Sequence, residues 1–288
     1  MQQLKSVTQV NRHPGSHWVG DGFPVRNLFS VQREGARISP FLLFDYAGPR
    51  YFEPAREPRG VGEHPHRGFE TVTIVYQGQV DHRDSAGNAG SIGPGDVQWM
   101  TAASGVLHQE FHSPAFTKQG GVFEAVQLWV NLPAKDKMSP PRYQTLLDAE
   151  IPTAMLPGNA GQLRVIAGEY AGQRGPAKTF TPVNVWDVRL KAGHVVELEL
   201  PEGSNTILAL LHGSLRINDG TELAEAQAAH FARDGERIRL EAPKEDATLL
   251  VLNGEPIEEP IAAYGPFVMN NTREIDQALA DMRSGRLG

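Results

Sequence analysis

Short runs of β-branched and aromatic residues, cut at close intervals by glycine or proline, set the strongest limit on what this chain can fold into. The 288 residues include 30 glycines and 21 prolines. Between them lie apolar runs at 70–76 (ETVTIVY), 96–100 (DVQWM), 122–132 (VFEAVQLWVNL), 183–190, 195–200, 206–211, 214–217, 237–240 and 248–252. Several alternate apolar and polar residues with period two, as a sheet with one buried face requires. Turn signals about 8 to 12 residues apart favour an all-β sandwich or barrel over a parallel βαβ fold.

The length allows two ordinary domains. At 133–141 the sequence PAKDKMSPP interrupts the strand pattern with prolines and charges. It is read as a linker at 134–141, between an N-terminal domain at 1–133 and a C-terminal domain at 142–288. The halves resemble a worn repeat: IVYQGQV around Gly78 parallels ALLHGSL around Gly213, each an apolar strand turning at glycine into another. One helix is expected near the end, at about 272–284. Asn271 and Glu274 form a capping box, Ile275, Leu279 and Met282 an apolar stripe, and Gly285 a stop.

Composition narrows the chemistry. With no cysteine, disulfides, iron-sulfur clusters, thiolate zinc sites and a cysteine nucleophile are excluded, so any metal must be held by His, Asp or Glu. The net charge of −7 with no basic block argues against direct nucleic-acid binding, which needs a basic face. No apolar stretch has signal-peptide or membrane-spanning length. A cytoplasmic protein with no membrane contact is expected.

Of ten histidines, His13, His17, His82, His194, His212 and His230 stand alone and are read as surface or core-edge residues. The others are grouped. His64 and His66 form His-x-His, and His108 and Glu110 form His-x-Glu. Residues two apart on a strand share a face, so each pair presents two ligand atoms side by side. Two such strands inside a small barrel would gather three imidazoles and a carboxylate around one point. Nitrogen and oxygen donors suit Fe, Mn, Ni, Cu or Zn, and such an open set resembles non-haem iron sites more than closed structural zinc. Glu70 shares the parity of His66, but Gly68 between them can bulge the strand. Spacing alone does not choose between Glu70 and Glu110.

The stretch 64–110 contains HPHRGFETV, HRDSAGNAG, PGDVQWMTA and GVLHQE, and it resembles the pirin family of the cupin superfamily. PFLLFDYAGP at 40–49 and YGPFVMN at 264–270 extend the likeness over nearly the whole chain. Against the wider cupin pattern, His64, His66, Glu70, Gly105 and His108 fit, Gly78 comes one residue late, Ala103 replaces a proline and His112 an asparagine.

The resemblance implies an all-β bicupin, two antiparallel jelly-roll barrels with a short C-terminal helix. It assigns one mononuclear divalent metal, foremost Fe(II), to His64, His66, His108 and Glu110, leaving Glu70 out. His112, on the same face past the ligands, would line the pocket or serve as a structural residue. The second half lacks the site: measured from Gly213 without gaps, the ligand positions fall on Glu199, Pro201, Pro243 and Glu245.

Bacterial pirins are associated with quercetin 2,3-dioxygenase activity, which opens a flavonol heterocycle with O2 and releases CO. That implies a flavonol-like aromatic substrate and O2, with Glu110 as the catalytic base and Phe69, Trp99, Met100 and Val126 as candidates for an aromatic-binding wall. The alternatives are an iron-containing regulatory protein that binds a transcription factor or metabolic enzyme, and a cupin whose metal is structural.

Overall fold

A computed structural model describes residues 3–12, 15–218 and 220–287. His13 lies outside the described residues. All nine strand expectations correspond to strands, with ends shifted by a residue or two at most; Phe69–Gln77, Val97–Thr101, Gly121–Asn131 and Val183–Leu190 are examples.

Contacts divide the chain into two compact units, neither of them continuous. One comprises 15–36, 41–148 and the chain's end from 257. Its larger sheet runs Arg142–Leu146, Val97–Thr101, Phe69–Gln77, Gly121–Asn131, Phe41–Phe52, Phe23–Ser30 and Ser16–Val19. Its smaller sheet runs Gly60–His66, Val106–His112, Val80–Asp84 and Ala89–Ile92. Inward alternation from both sheets buries Val25, Phe52, Val75, Val80, Ile92 and Phe123 as a core.

The other unit comprises residues up to 14, 37–40 and 149–256. Its larger sheet runs Val7–Asn11, Gln227–Phe231, Asn205–His212, Ala247–Gly254, Val183–Leu190, Gly161–Ala167 and Thr153–Met155. Its smaller sheet runs Val195–Glu199, Arg237–Glu241, Leu215–Ile217 and Thr221–Leu223. The two strand orders correspond place for place, which bears out the worn repeat and the bicupin architecture. Gly78 and Gly213 occupy the same turn at φ +84 and +83, in the left-handed region that favours glycine.

This division differs from a single cut at 134–141. The segment read as a linker is packed: Ala134–Asp136 forms a 3₁₀ turn, and Lys137 is buried, donating from Nζ to Gly68 O at 2.7 Å, Asn131 Oδ1 at 2.7 Å and Val268 O at 3.0 Å. Proline and charge suggested an exposed tether, but three carbonyl acceptors satisfy the ammonium inside the fold. The end of the chain also packs with the first unit. A hairpin, Ala262–Tyr264 with Phe267–Met269, leads into the helix Thr272–Arg283.

The capping box is present, since Asn271 Oδ1 accepts from the Glu274 amide at 3.1 Å, although the Glu274 carboxylate reaches back to Asn270 N at 2.8 Å. Ile275 and Ala278 are buried with Leu279 against them, whereas Met282, expected in the stripe, is exposed. Among the described residues no helix is long and apolar enough to cross a membrane.

Candidate metal centre

The strands Gly60–His66 and Val106–His112 run antiparallel, with His108 opposite His64 and Val106 opposite His66. On its other side Val106–His112 pairs with Val80–Asp84, placing Asp84 opposite His108 and His82 opposite Glu110. Alternation buries His108, Glu110 and His112 on one face. A register shift between His108 and Glu110 leaves Glu110 opposite Val61 rather than continuing the His64 pairing.

The three imidazoles converge. Ring centroids are 4.8 Å apart for His64 and His66, 4.3 Å for His64 and His108, and 4.8 Å for His66 and His108. One ring nitrogen from each lies within 4.8 Å of the others, and among the described residues this is the one group of three or more potential ligands so gathered.

Two of the rings have one nitrogen engaged: His64 Nδ1 is 2.9 Å from Gly62 O, and His108 Nδ1 is 3.4 Å from His82 Nδ1. His66 Nδ1 and His108 Nε2 are both buried without a hydrogen-bond partner. Each such group costs about 1–3 kcal/mol when left unsatisfied, and a metal ion is the partner that satisfies several convergent lone pairs at once.

Burial, with the neighbouring His64 charge adding to it, lowers the His66 pKa to about 3, and burial also holds His108 well below its ordinary value. Both are therefore neutral at physiological pH, the form in which imidazole ligates. The donor set fits a divalent metal.

Glu110 is buried next along the same strand but is not one of the three converging groups. Its carboxylate accepts from Thr73 Oγ1 at 3.1 Å, Gln98 Nε2 at 3.4 Å and Gln127 Nε2 at 3.3 Å. Three neutral donors hold it, and no cation is among them.

Glu70 points away. It stands opposite Thr101, while Thr73, on the other parity of the same strand, faces Glu110. Thr101 Oγ1 donates to Glu70 Oε1 at 2.7 Å, Arg142 lies 3.9 Å off, and burial raises the carboxyl pKa to about 7. The strand Phe69–Gln77 begins just after Gly68, whose φ is +90. The turn there ends the parity that would have aligned Glu70 with His66.

His112 is a structural residue, lying 3.1 Å through Nε2 from Gly22 O and ringed by Phe23, Phe52, Phe116 and Phe123. The expected aromatic wall divides. Phe69 lies 5.2 Å from the His66 ring and packs at 4.3 Å on Trp129 with the rings tilted by 34°, Met100 packs on Ala102 and Val106, and Val126 lines a cavity of about 40 Å³ beside Glu110 and Thr73. Trp99 sits opposite Val72 on the face away from Glu110, so it is core.

His82 was read as isolated, yet it is buried against His108. Its signal in the sequence was the His-x-Asp pair His82 and Asp84, which shares one strand face just as the ligand pairs do.

In the second unit the counterpart strands Val195–Glu199 and Arg237–Glu241 turn Val196, Leu198, Ile238 and Leu240 inward as aliphatic core. The ungapped offsets had pointed instead to Glu199, Pro201, Pro243 and Glu245. They missed because the turns differ in length between the units; the absence of histidine there stands.

Residues 22–130 match the Pirin family model, and residues 185–288 match that of the Pirin C-terminal cupin domain. The chain belongs to the pirin family. It is 59% identical over 283 residues, 98% of either chain, to a Pseudomonas aeruginosa protein named "putative quercetin 2,3-dioxygenase". It is 36% identical over 274 residues to human Pirin, covering 93% of this chain and 90% of that one. Among solved structures it superposes with a TM-score of 0.97 on a quercetin 2,3-dioxygenase from Acinetobacter baumannii, at 52% identity and 99% coverage of both chains. Similarity of this extent covers both barrels as well as the histidine-bearing motifs.

Proposed function

We propose that this pirin is a metal-dependent dioxygenase that opens the heterocycle of quercetin-like flavonols with O2 and releases CO. The observation that carries the reading is the convergence of His64, His66 and His108, two of them with a buried ring nitrogen that has no hydrogen-bond partner, beside a carboxylate held only by neutral donors. The names of the relatives at 59% and 52% identity support the substrate class.

His64, His66 and His108 would hold the ion, with Glu110 as fourth ligand. Fe(II) is our assignment, while Ni, Cu, Mn and Zn suit the same donors. When bound, the metal supplies Lewis acidity and open positions for substrate and O2.

The chain's own part is to position and to move a proton. Glu110 accepts the proton of the flavonol 3-hydroxyl, which leaves the oxygen anionic and a better donor. Thr73, Gln98 and Gln127 keep the carboxylate aimed. Partly buried His64 marks the side open to substrate, and Phe69 with Trp129 walls the buried side behind His66.

A second reading, an iron-containing regulatory protein that binds a transcription factor or metabolic enzyme, fits the likeness to relatives named Pirin alone, such as the human one. Aerobic incubation of the Fe-loaded protein with quercetin, following flavonol absorbance and CO, separates the two. Turnover that His64→Ala abolishes and Glu110→Ala lowers at least about 100-fold supports the enzyme. Wild-type turnover in both variants at matched metal content refutes the assignment, and no turnover in the loaded wild type leaves the regulatory reading.

A further inference from the structure

His82 and Asp84 form a chain of hydrogen bonds behind the metal-facing imidazole of His108. Both side chains are buried, and His82 Nε2 lies 3.3 Å from Asp84 Oδ2. The Asp84 carboxylate is an acceptor on both oxygens: Asn88 N donates to Oδ1 at 2.9 Å, and Asn88 Nδ2 lies 3.2 and 3.0 Å from Oδ1 and Oδ2. The proton of a neutral His82 ring therefore belongs on Nε2, where a carboxylate receives it, and Nδ1 keeps its lone pair.

Two donors meet that lone pair. One is Gln98 Nε2, at 3.2 Å. The amide is oriented by Tyr143 Oη, which donates to Gln98 Oε1 at 3.3 Å, so its nitrogen faces the histidine. The other is His108 Nδ1 at 3.4 Å. Facing an acceptor, His108 Nδ1 must carry a hydrogen, which leaves Nε2 as the lone pair. Nε2 is the buried atom with no partner. Tyr143 also stacks on His82 at 4.7 Å with the rings 16° apart, fixing the plane of the relay.

We infer that His82 and Asp84 are positioning residues that set the tautomer of His108, so that its Nε2 lone pair faces the metal. This rests on the three-histidine reading of the site but not on flavonol turnover. Partners behind a ligand typically change metal affinity by about 10- to 100-fold when removed.

Asp84→Asn keeps an oxygen for Asn88 but presents an N–H to His82 Nε2. That moves the His82 proton to Nδ1, where it displaces the Gln98 amide donor, turns Nδ1 into a donor toward His108, and puts the His108 proton on Nε2, where it blocks the metal. His82→Phe keeps the stack on Tyr143 and removes the acceptor, which frees the tautomer without inverting it.

The test is Co(II) affinity by chelator competition, with the tautomer of His108 read from ¹⁵N-histidine NMR of the metal-free protein. We expect a loss of about 100-fold in Asp84→Asn and about 10-fold in His82→Phe. We also expect His108 protonated on Nδ1 in the wild type and on Nε2 in Asp84→Asn. Co(II) affinities within twofold of wild type, or one unchanged tautomer in both proteins, overturn the inference. Should Asp84→Asn fail to fold, the wild-type spectrum and His82→Phe decide: a wild-type His108 protonated on Nε2 refutes it outright. A wild type that takes up no Co(II) overturns the metal reading separately, and the wild-type tautomer still decides the dyad.

Discussion

Replacing Glu70 by glutamine separates the metal centre from the carboxylate that the wider cupin pattern would place in it. Burial raises the Glu70 pKa from 4.5 to about 7, against the hydrogen bond from Thr101. Each pKa unit corresponds to about 1.4 kcal/mol, so ionising Glu70 in the folded protein costs about 3 kcal/mol. A carboxyl whose folded pKa is raised gives its full contribution below the unfolded pKa, near 4.5, and loses it as pH climbs through 7. Arg142, 38% exposed at 3.9 Å, is too solvated to offset much of this.

Glutamine keeps the oxygen that accepts from Thr101 and never ionises. Urea denaturation should therefore find Glu70→Gln close to wild type at pH 4.5 and more stable by about 3 kcal/mol at pH 8. The difference between the two proteins is the relevant quantity, because the buried histidines give both the same opposing slope. Co(II) affinity should stay within twofold. A variant less stable than wild type at pH 8, or a stability difference that does not change with pH, refutes the burial argument. A tenfold loss of Co(II) affinity would return Glu70 to the ligand set.

Three further outcomes are expected. His112, lowered to about 4 mainly by burial, contributes stability that is complete above pH 6.5 and lost as pH falls toward 4; His112→Phe should flatten that part of the acid limb in a pH series of melts while Co(II) binding persists. Arg67 pairs with Asp281 at 2.9 Å and donates through Nε to Ser104 O at 2.6 Å, so Arg67→Ala, which leaves the Ser104 carbonyl without its donor, should cost about 1–3 kcal/mol in chemical denaturation and speed amide exchange first in the helix Thr272–Arg283. Gly68→Ala would place a methyl 2.0 Å from Val268 O at φ +90, and its melting temperature should fall by more than that of Gly87→Ala, where the same positive φ meets open space.

Strands and the converging histidines were legible in the sequence for one reason: both depend on period two, a local property. His64, His66 and His108 met because alternation on paired strands leaves few other places for them. What period two cannot supply is which face a strand shows after a tight turn, and this is why Glu70 stayed open until the start of Phe69–Gln77 was fixed. Nor does it supply partners across strands. His82 looked solitary because its neighbours, His108 and Gln98, come from other strands. Lys137 shows the same limit, since its charge reads as surface until three carbonyl acceptors, one of them more than a hundred residues away, surround it.

The interleaving of the two units bears on the order of events during synthesis. The unit that carries the three histidines includes the stretch from 257 onward, and there the Val268 amide donates to the carbonyl of Arg67, next to His66, at 3.0 Å. A ribosome that has finished His108 has therefore not yet made all of the metal centre's surroundings. The first residues, in turn, wait for Gln227–Phe231 before Val7–Asn11 has a strand to pair with. Neither unit can be completed on a half-made chain. The surroundings of His64, His66 and His108 are thereby completed only once the stretch from 257 has been made, and a shorter product could keep all three histidines without those surroundings.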